Sequence, residues 1–271
     1  MISSFSVGKV KFMICVMGID IGSAFSKGLI MCDRKITGSY IIPSGGNYKL
    51  TADMVRKELF SVSGLSANDV AYTIATGYGS KNADFADDSL TDISCHSRGV
   101  FYLFPTVKTI VDIGDLFSKA FRIDETGNSI NFLLSGKCAG GSARILQKIA
   151  SVLQVELDDI GELSLRSKKR IDFHTGCAVF AETEAISRVA EGTTKEDLLA
   201  GIHRALASQI TSLAERVGIE REYALVGGGA RDRGLVKEVE KIVGFTIIVP
   251  HEPQMTAALG AAVIGLERVC S

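Results

Sequence analysis

Residues 20–27 read Asp-Ile-Gly-Ser-Ala-Phe-Ser-Lys, and 92 positions later residues 112–119 read Asp-Ile-Gly-Asp-Leu-Phe-Ser-Lys. Six of the eight positions are identical. Each copy lies between two apolar runs, a pattern that predicts two strands joined by a tight glycine turn, that is, a β-hairpin. A polar turn follows each hairpin, at residues 32–34 and 124–127. The repeat therefore predicts a duplicated chain, the alternative being a chance match.

Two similar halves that each open with such a hairpin suggest two α/β domains facing one another across a cleft. The hairpin tips would then meet the same ligand. Exposed backbone N–H groups at glycine-rich turns suit phosphate oxygens, and carboxylates suit hydrated Mg²⁺. We therefore expect Asp20 and Asp112 to be catalytic carboxylates that face a magnesium ion. We also expect a phosphate site that includes Gly22, Ser23, Ala24, Ser26, Lys27 and Gly114.

A third glycine run follows an apolar strand and opens a predicted helix whose apolar face holds Leu235, Val236, Val239 and Ile242. The run is Gly227, Gly228 and Gly229. Glycines at a junction of a strand and a helix allow close approach by a flat base and its ribose. The alternative is a packing turn without a ligand.

This arrangement resembles the superfamily of actin, the heat-shock chaperones and the sugar and acetate kinases. The resemblance implies an α/β fold with two duplicated, ribonuclease H-like (actin-like ATPase) domains and ATP in the cleft between them. We expect residues 13–108 to form the first domain and residues 109–253 the second. The resemblance also implies that a last helix, at 254–269 and rich in small residues, packs back on the first domain.

Two cysteines stand just before predicted amphipathic helices, Cys138 and Cys177. A helix N-terminus favours a thiolate and an anionic cluster. Two thiolates per chain cannot complete a four-cysteine iron–sulfur site, but two chains around a twofold axis could share one 4Fe-4S cluster. For any single cysteine the alternative is a small buried apolar side chain, and we predict that packing role for the other four, Cys15, Cys32, Cys95 and Cys270. Histidines are scattered without triad or metal spacing, and His203 falls within a predicted helix, where it is expected to be structural.

Seven segments together resemble the activator proteins of 2-hydroxyacyl-CoA dehydratases and the related ATP-binding subunits of benzoyl-CoA reductases. These segments are GIDIGS (18–23), ATGYG (75–79), SCH (94–96), KCA (137–139), CAVFAETE (177–184), GIHR (201–204) and GG (227–228). The resemblance extends from about Met13 to Arg268. It implies an ATPase that drives low-potential, one-electron transfer from a 4Fe-4S cluster held by Cys138 and Cys177 of each subunit.

The same resemblance implies the partners. They are a dehydratase or reductase that acts on an acyl-CoA, and a ferredoxin or flavodoxin as electron donor. Gln254 matches a glutamine of the family and is expected near the nucleotide, an exposed polar helix start being the alternative.

The second loop departs from the family pattern. Family activators commonly read Asp-Ile-Gly-Gly-Gln-Asp there, whereas this chain continues from Gly114 with Asp115, Leu116 and Phe117. A glutamine that could orient water is missing, and Asp115 adds a carboxylate close to the expected phosphate. The rate of ATP hydrolysis is therefore open. The form Asp-Ile-Gly-x-Leu is closer to one of the two ATP-binding subunits of benzoyl-CoA reductases, which pairs with a sister subunit, so homodimer and heterodimer are both open.

Composition excludes several classes of function. The 30 Lys and Arg against 31 Asp and Glu give a net charge of -1, which disfavours a nucleic-acid groove. The absence of a long apolar run disfavours a membrane span. Without an export signal we expect a cytoplasmic protein whose cysteines are reduced. Two alternative functions stay open: a small-molecule kinase of the same fold, and a regulatory ATP-binding subunit with little turnover.

Overall fold

The computed structural model describes residues 13–136, 141–173 and 178–270, except for the side chains of residues 178 and 179. The first half builds one five-stranded sheet with two helices. Its elements are β1 (Cys15–Ile21), β2 (Phe25–Cys32), β3 (Lys35–Pro43), α1 (Tyr48–Ser63), β4 (Val70–Thr76), β5 (Asp88–Ser89) and α2 (Asp92–Leu103). The strand order is β3-β2-β1-β4-β5.

The second half builds a four-stranded sheet with most of the helices. Its elements are β6 (Thr109–Ile113), β7 (Ser118–Ile123), β8 (Ser129–Leu134), α3 (Arg144–Leu153), α4 (Ile160–Ser164), α5 (Ala178–Ala190), α6 (Lys195–Val217), β9 (Tyr223–Val226), α7 (Arg233–Val243) and α8 (Thr256–Cys270). The strand order is β8-β7-β6-β9. In both sheets the hairpin strands are antiparallel, and the strand beyond them pairs in parallel.

Both predicted hairpins are confirmed, and their registers correspond. In the first hairpin Asp20 lies opposite Lys27, and in the second Asp112 lies opposite Lys119. Because side chains alternate between the faces of a strand, residues directly opposite each other in two paired strands point to the same side of the sheet. Each hairpin therefore presents one carboxylate and one ammonium group together.

The first sheet is covered on both faces. One face packs its buried β1 and β2 side chains against α1, through Val55 and Leu59. The opposite face packs Val16, Leu29 and Met31 against apolar side chains of α8, which also contacts α2 along its length. The last helix of the chain thus belongs to the core of its first sheet.

The core of the second half is organised around α6, the longest helix, whose buried face runs from Leu198 to Val217. This face packs against the sheet residues Val111, Ala120 and Leu225 and against the apolar sides of the other helices. The side chain of Thr194 caps the start of α6 by accepting a hydrogen bond from the Asp197 amide at 3.2 Å. Helices predicted from apolar spacing at α3, α5, α6 and α7 are confirmed.

The cysteine predictions need correction. Cys15 and Cys32 are buried but not free: they form a disulfide, because the β1–β2 register places them directly opposite each other. Cys270 is exposed at the end of α8 and so does not pack in the core. Cys95 is a buried free thiol, as predicted, and burial raises its pKa to about 12.

Across the described residues, no helix is both long and apolar enough to span a membrane.

Candidate active site

A cleft of about 1140 Å³ lies between the two sheets and is lined by both hairpin tips. Eleven of the residues predicted to bind nucleotide or magnesium line it: Asp20, Gly22, Ser23, Ala24, Lys27, Asp112, Gly114, Gly227, Gly228, Gly229 and Gln254. These residues come from positions as far apart as β1 and the loop before α8. The fold therefore brings them to one cavity large enough for a small-molecule ligand.

Each hairpin holds its carboxylate with its own lysine. Lys27 Nζ lies 2.6 Å from Asp20 Oδ2, and Lys119 Nζ lies 2.8 Å from Asp112 Oδ2. Lys119 also pairs with Asp92, at 2.8 Å. Burial opposes ionisation of Asp112, but the surrounding charges and hydrogen bond, with Lys119 foremost, together outweigh it and hold the pKa of the carboxyl below its usual value. Burial likewise opposes the charge of Lys119, but the two carboxylates raise its pKa above its usual value. Both groups are charged at neutral pH.

His96 is a cleft residue that the sequence reasoning missed. It is buried at the start of α2, with Nε2 3.7 Å from Asp112 Oδ2 and Nδ1 2.7 Å from Thr256 Oγ1. Thr256 donates its own proton to the Pro253 carbonyl at 3.0 Å, so its oxygen accepts from Nδ1–H of His96. Burial lowers the pKa of His96 despite the nearby carboxylate. As a neutral imidazole, His96 therefore binds the start of α8 through Nδ1–H and only packs beside the Asp112 carboxylate, because its Nε2 then carries no proton to donate. The only sequence signal for it was its place in the segment SCH.

Two glycines beyond the hairpins complete the cradle around the carboxylates. Gly77 and Gly227 both have positive φ, 88° and 83°, where residues with a Cβ are strained. A methyl group on Gly77 would lie 2.7 Å from the Ile21 carbonyl oxygen, and one on Gly227 would lie 2.8 Å from that of Ile113. Either methyl would also collide with the adjacent buried carboxylate. The two halves thus repeat this turn, although its sequence spacing from the hairpin differs.

Ser26 is placed differently from the other predicted phosphate residues. Its side chain is fully buried, and its hydroxyl lies 2.8 Å from Ser44 Oγ. Ser44 in turn donates to the Gly22 carbonyl at 2.6 Å. These contacts make Ser26 a support of the first loop, and a direct contact between Ser26 and a phosphate stays a prediction.

The two hairpin tips touch each other through equivalent positions of the repeat. Ser23 Oγ donates to Asp115 Oδ2 at 3.1 Å, and these residues are 92 positions apart. Arg144, the first residue of α3, also binds this carboxylate, with Nη2 2.5 Å from Oδ2. The Asp115 charge that departs from the family pattern is therefore compensated. Arg144 was missed because nothing in its local sequence indicates its partner.

The residues of the cleft fit a magnesium nucleotide. Asp20 and Asp112 offer hard oxygen ligands, and the lysines and the glycine-rich turns offer donors for phosphate oxygens. Within the described ranges, no group of three or more His, Cys, Asp or Glu side chains could hold a metal ion by itself. Mg²⁺ is typically held by one or two carboxylates together with phosphates and water, so this donor set is sufficient. Cys138 and Cys177 lie outside the described residues.

Comparison with known proteins assigns the family. The model of the BadF/BadG/BcrA/BcrD ATPase family matches residues 17–265. The chain belongs to this family. A relative of the family, the 2-hydroxyisocaproyl-CoA dehydratase activator of Clostridioides difficile, is 38% identical over 93% of this chain and 94% of its own length. The (R)-2-hydroxyglutaryl-CoA dehydratase activating ATPase of Acidaminococcus fermentans is 36% identical over 94% of this chain and 98% of its own.

Among solved structures, the activator of the 2-hydroxyisocaproyl-CoA dehydratase from Clostridium difficile with bound ADPNP superposes with a TM-score of 0.90. The match covers 95% of this chain and 96% of that protein at 36% identity. A ROK family glucokinase from Streptomyces griseus, 10% identical with a TM-score of 0.61 over 93% of this chain and 99% of its own, shares the fold alone. The predicted α/β, actin-like ATPase fold is confirmed. A benzoyl-CoA reductase component of Thauera aromatica is also similar, 33% identical over 78% of this chain and 76% of its own length.

Proposed function

We propose that this protein is an ATP-dependent activator that passes single electrons at low potential to an enzyme acting on an acyl-CoA. The observation that carries the proposal is the cleft itself. Two repeated hairpins present buried Asp–Lys pairs to one cavity, in a chain of the activator family. We take the domain boundaries at residues 108 and 253 as part of this proposal.

In the cleft, the proposed roles follow from the chemistry of each group. Asp20 and Asp112 would hold a hydrated Mg²⁺, and the bound ion would neutralise phosphate charge. Lys27 and the amides around Gly22 and Gly114 bind phosphate oxygens. Gly227 to Gly229 admit the base and ribose, and Gln254 closes the cleft at the start of α8. ATP bound in this way would be positioned for hydrolysis.

We assign Cys138 and Cys177 as ligands of a 4Fe-4S cluster shared by two subunits. Two features of the described residues support this assignment. Cys177 is followed directly by α5, and the segment with Cys138 leads into α3. These two helices lie side by side, with Lys148 of α3 3.0 Å from Glu182 of α5, both in the second turn of their helix. Their N-terminal turns are therefore neighbours. A cluster held there would supply a one-electron carrier.

A second subunit would also cover exposed apolar side chains of α5. Three large apolar side chains of α5 are exposed, Phe180, Ile186 and Val189, and 65% of the surface of Phe180 is accessible to solvent. Large apolar side chains exposed next to a proposed shared site favour an interface between subunits. The second subunit is either a copy of this chain or a sister ATP-binding subunit. The partners would be a 2-hydroxyacyl-CoA dehydratase or a benzoyl-CoA reductase-type enzyme and a ferredoxin or flavodoxin donor, in the cytoplasm.

The deciding experiment is anaerobic purification with iron and sulfide assays, a visible spectrum and native mass. We expect a brown dimer with about four irons per pair of chains, because one four-thiolate cluster needs two cysteines from each chain. Single replacements C138S and C177S should lose the chromophore and keep nucleotide binding. C270S is the matched control, because Cys270 is a free, exposed thiol far along the chain, and it should keep the colour.

The alternatives give different results. A colourless protein after anaerobic reconstitution that phosphorylates a small molecule would indicate a kinase of the same fold. A colourless protein that binds ATP without turnover would indicate a regulatory subunit. Colour retained in both C138S and C177S would overturn the ligand assignment.

A further inference from the structure

We propose that Asp115 sets the discrimination of this cleft between ATP and ADP, by competing with the terminal phosphate for Ser23 and Arg144. This inference rests on the proposed binding of ATP between the hairpin tips. It concerns the residue at which this chain departs from the family pattern, and it assigns that residue a specificity-determining role.

The first step is geometric. Ser23 and Asp115 occupy equivalent positions of the two loops, and the hydrogen bond between them joins the tips across the cleft. If Gly227 to Gly229 receive the adenosine, the phosphates extend towards the tips, and the outermost phosphate reaches the contact between them. ADP ends one phosphate earlier. On this placement the terminal phosphate of ATP would lie beside the Ser23–Asp115 contact, and ADP would end one phosphate short of it.

The second step is electrostatic. The carboxylate of Asp115 is mostly buried, with 11% of its side chain exposed, and it binds both Ser23 and the guanidinium of Arg144. A terminal phosphate brings further negative charge to the same place, where partial burial weakens screening. Arg144 and Ser23 can donate either to the carboxylate or to the phosphate. Asp115 therefore opposes ATP by occupying these donors and by its own charge.

The third step concerns the consequence for α3. The helix is attached to the second loop twice, by Arg144 to Asp115 and by the amide of Ala143, which donates to the Gly114 carbonyl at 2.9 Å. A phosphate that draws Arg144 away from Asp115 replaces one of these attachments. The same competition that sets nucleotide preference thus changes how the start of α3 is held.

The test is a double-mutant cycle of D115N and R144Q, with the affinities of Mg-ADP and of a non-hydrolysable Mg-ATP analogue measured by displacement of a fluorescent nucleotide. D115N removes the competing charge and frees Arg144, so we expect the affinity for the ATP analogue to rise about tenfold while that for ADP changes less than about threefold. R144Q leaves Asp115 uncompensated, so the affinity for the analogue should fall about tenfold. The double variant should return to within about threefold of the wild type.

K148Q is the matched control. It removes one positive charge from α3 one turn further on and, among the described residues, breaks the pair with Glu182 and leaves Asp115 untouched, so the ratio of the two affinities should not change. If D115N does not fold, the comparison of R144Q with K148Q still tests the proposal: R144Q should change the ratio of the two affinities, and K148Q should not. Equal changes for ADP and the analogue in D115N or R144Q would overturn the role of Asp115 alone. A wild-type chain that binds neither nucleotide would overturn the proposed function and this inference together.

Discussion

Replacing Gly260 with alanine should destabilise the protein strongly, because two helices meet there without room for a side chain. A methyl group on Gly260 of α8 would lie 2.6 Å from the carbonyl carbon of Cys95 and 2.7 Å from the amide nitrogen of Gly99, both in α2. It would overlap the Cys95 carbonyl oxygen still more closely. These are backbone atoms, so no side-chain rotation can relieve the clash and the helices must separate.

The expected cost lies at the upper end of overpacking penalties, about 3 kcal/mol. For a chain of this size that corresponds to a fall of roughly 6–12 °C in Tm. The matched control is G265A on the same helix, where the nearest atoms to an added methyl are 3.7–3.9 Å away, an ordinary van der Waals contact. An alanine in a helix interior gains about 0.5–1 kcal/mol over glycine, so this variant should melt slightly higher.

The assay is thermal unfolding of both variants and the wild type under identical buffer and nucleotide conditions, with urea unfolding as a second measure. The two glycines are five residues apart, so the comparison isolates the contact with α2. A Tm of G260A within about 2 °C of the wild type, or a shift of both variants in the same direction, would refute this account of how α8 packs.

Two further predictions concern the second half of the chain. G227A should lower Tm and weaken nucleotide binding, because position 227 has a φ of +83° and a methyl there would lie 2.8 Å from the Ile113 carbonyl oxygen. G228A is the control. No atom lies within 4 Å of the methyl added there, so this variant should leave Tm unchanged. Hydrogen bonds from the 167–169 turn, the Lys169 amide foremost, lower the pKa of Asp197 to about 2, whereas an unfolded Asp titrates near about 3.9. The stabilisation by Asp197 is therefore present above about pH 4 and lost as the pH falls towards about 2. At about pH 7, D197N should unfold at a lower urea concentration than the wild type. This difference should narrow between about pH 5 and about pH 3. A difference that stays constant with pH would contradict the assigned pKa.

Local pattern was sufficient for the parts of the fold that depend on neighbours in sequence. The two hairpins followed from glycine turns between apolar runs, and the register that pairs Asp20 with Lys27 follows from the tight turn between them. The helices α3, α6 and α7 followed from apolar spacing. The candidate cleft followed from the repeat, because two similar halves facing each other bring their tips to one place.

Contacts between segments that are distant in sequence could not be predicted from local sequence pattern. The pairing of Asp115 with Arg144 and of His96 with Thr256 depends on how α3 and α8 pack, and no periodicity encodes a partner at that distance. Gly77 was not recognised as the counterpart of Gly227, because the inserted elements change its spacing from the hairpin. The number and spacing of the cysteines do not indicate the Cys15–Cys32 bond, because strand register decides which cysteines meet.

The position of α8 has a consequence for synthesis on the ribosome. The outer face of the first sheet, with Val16, Leu29 and Met31, is covered by α8, whose first residue is made 225 residues after Met31 (256 minus 31). At a translation rate of about 5–20 residues per second, this face stays uncovered for roughly 10–45 s. The nascent first half must therefore be kept from aggregating while the second half is made, and a chain that stops before Thr256 would keep this apolar face exposed.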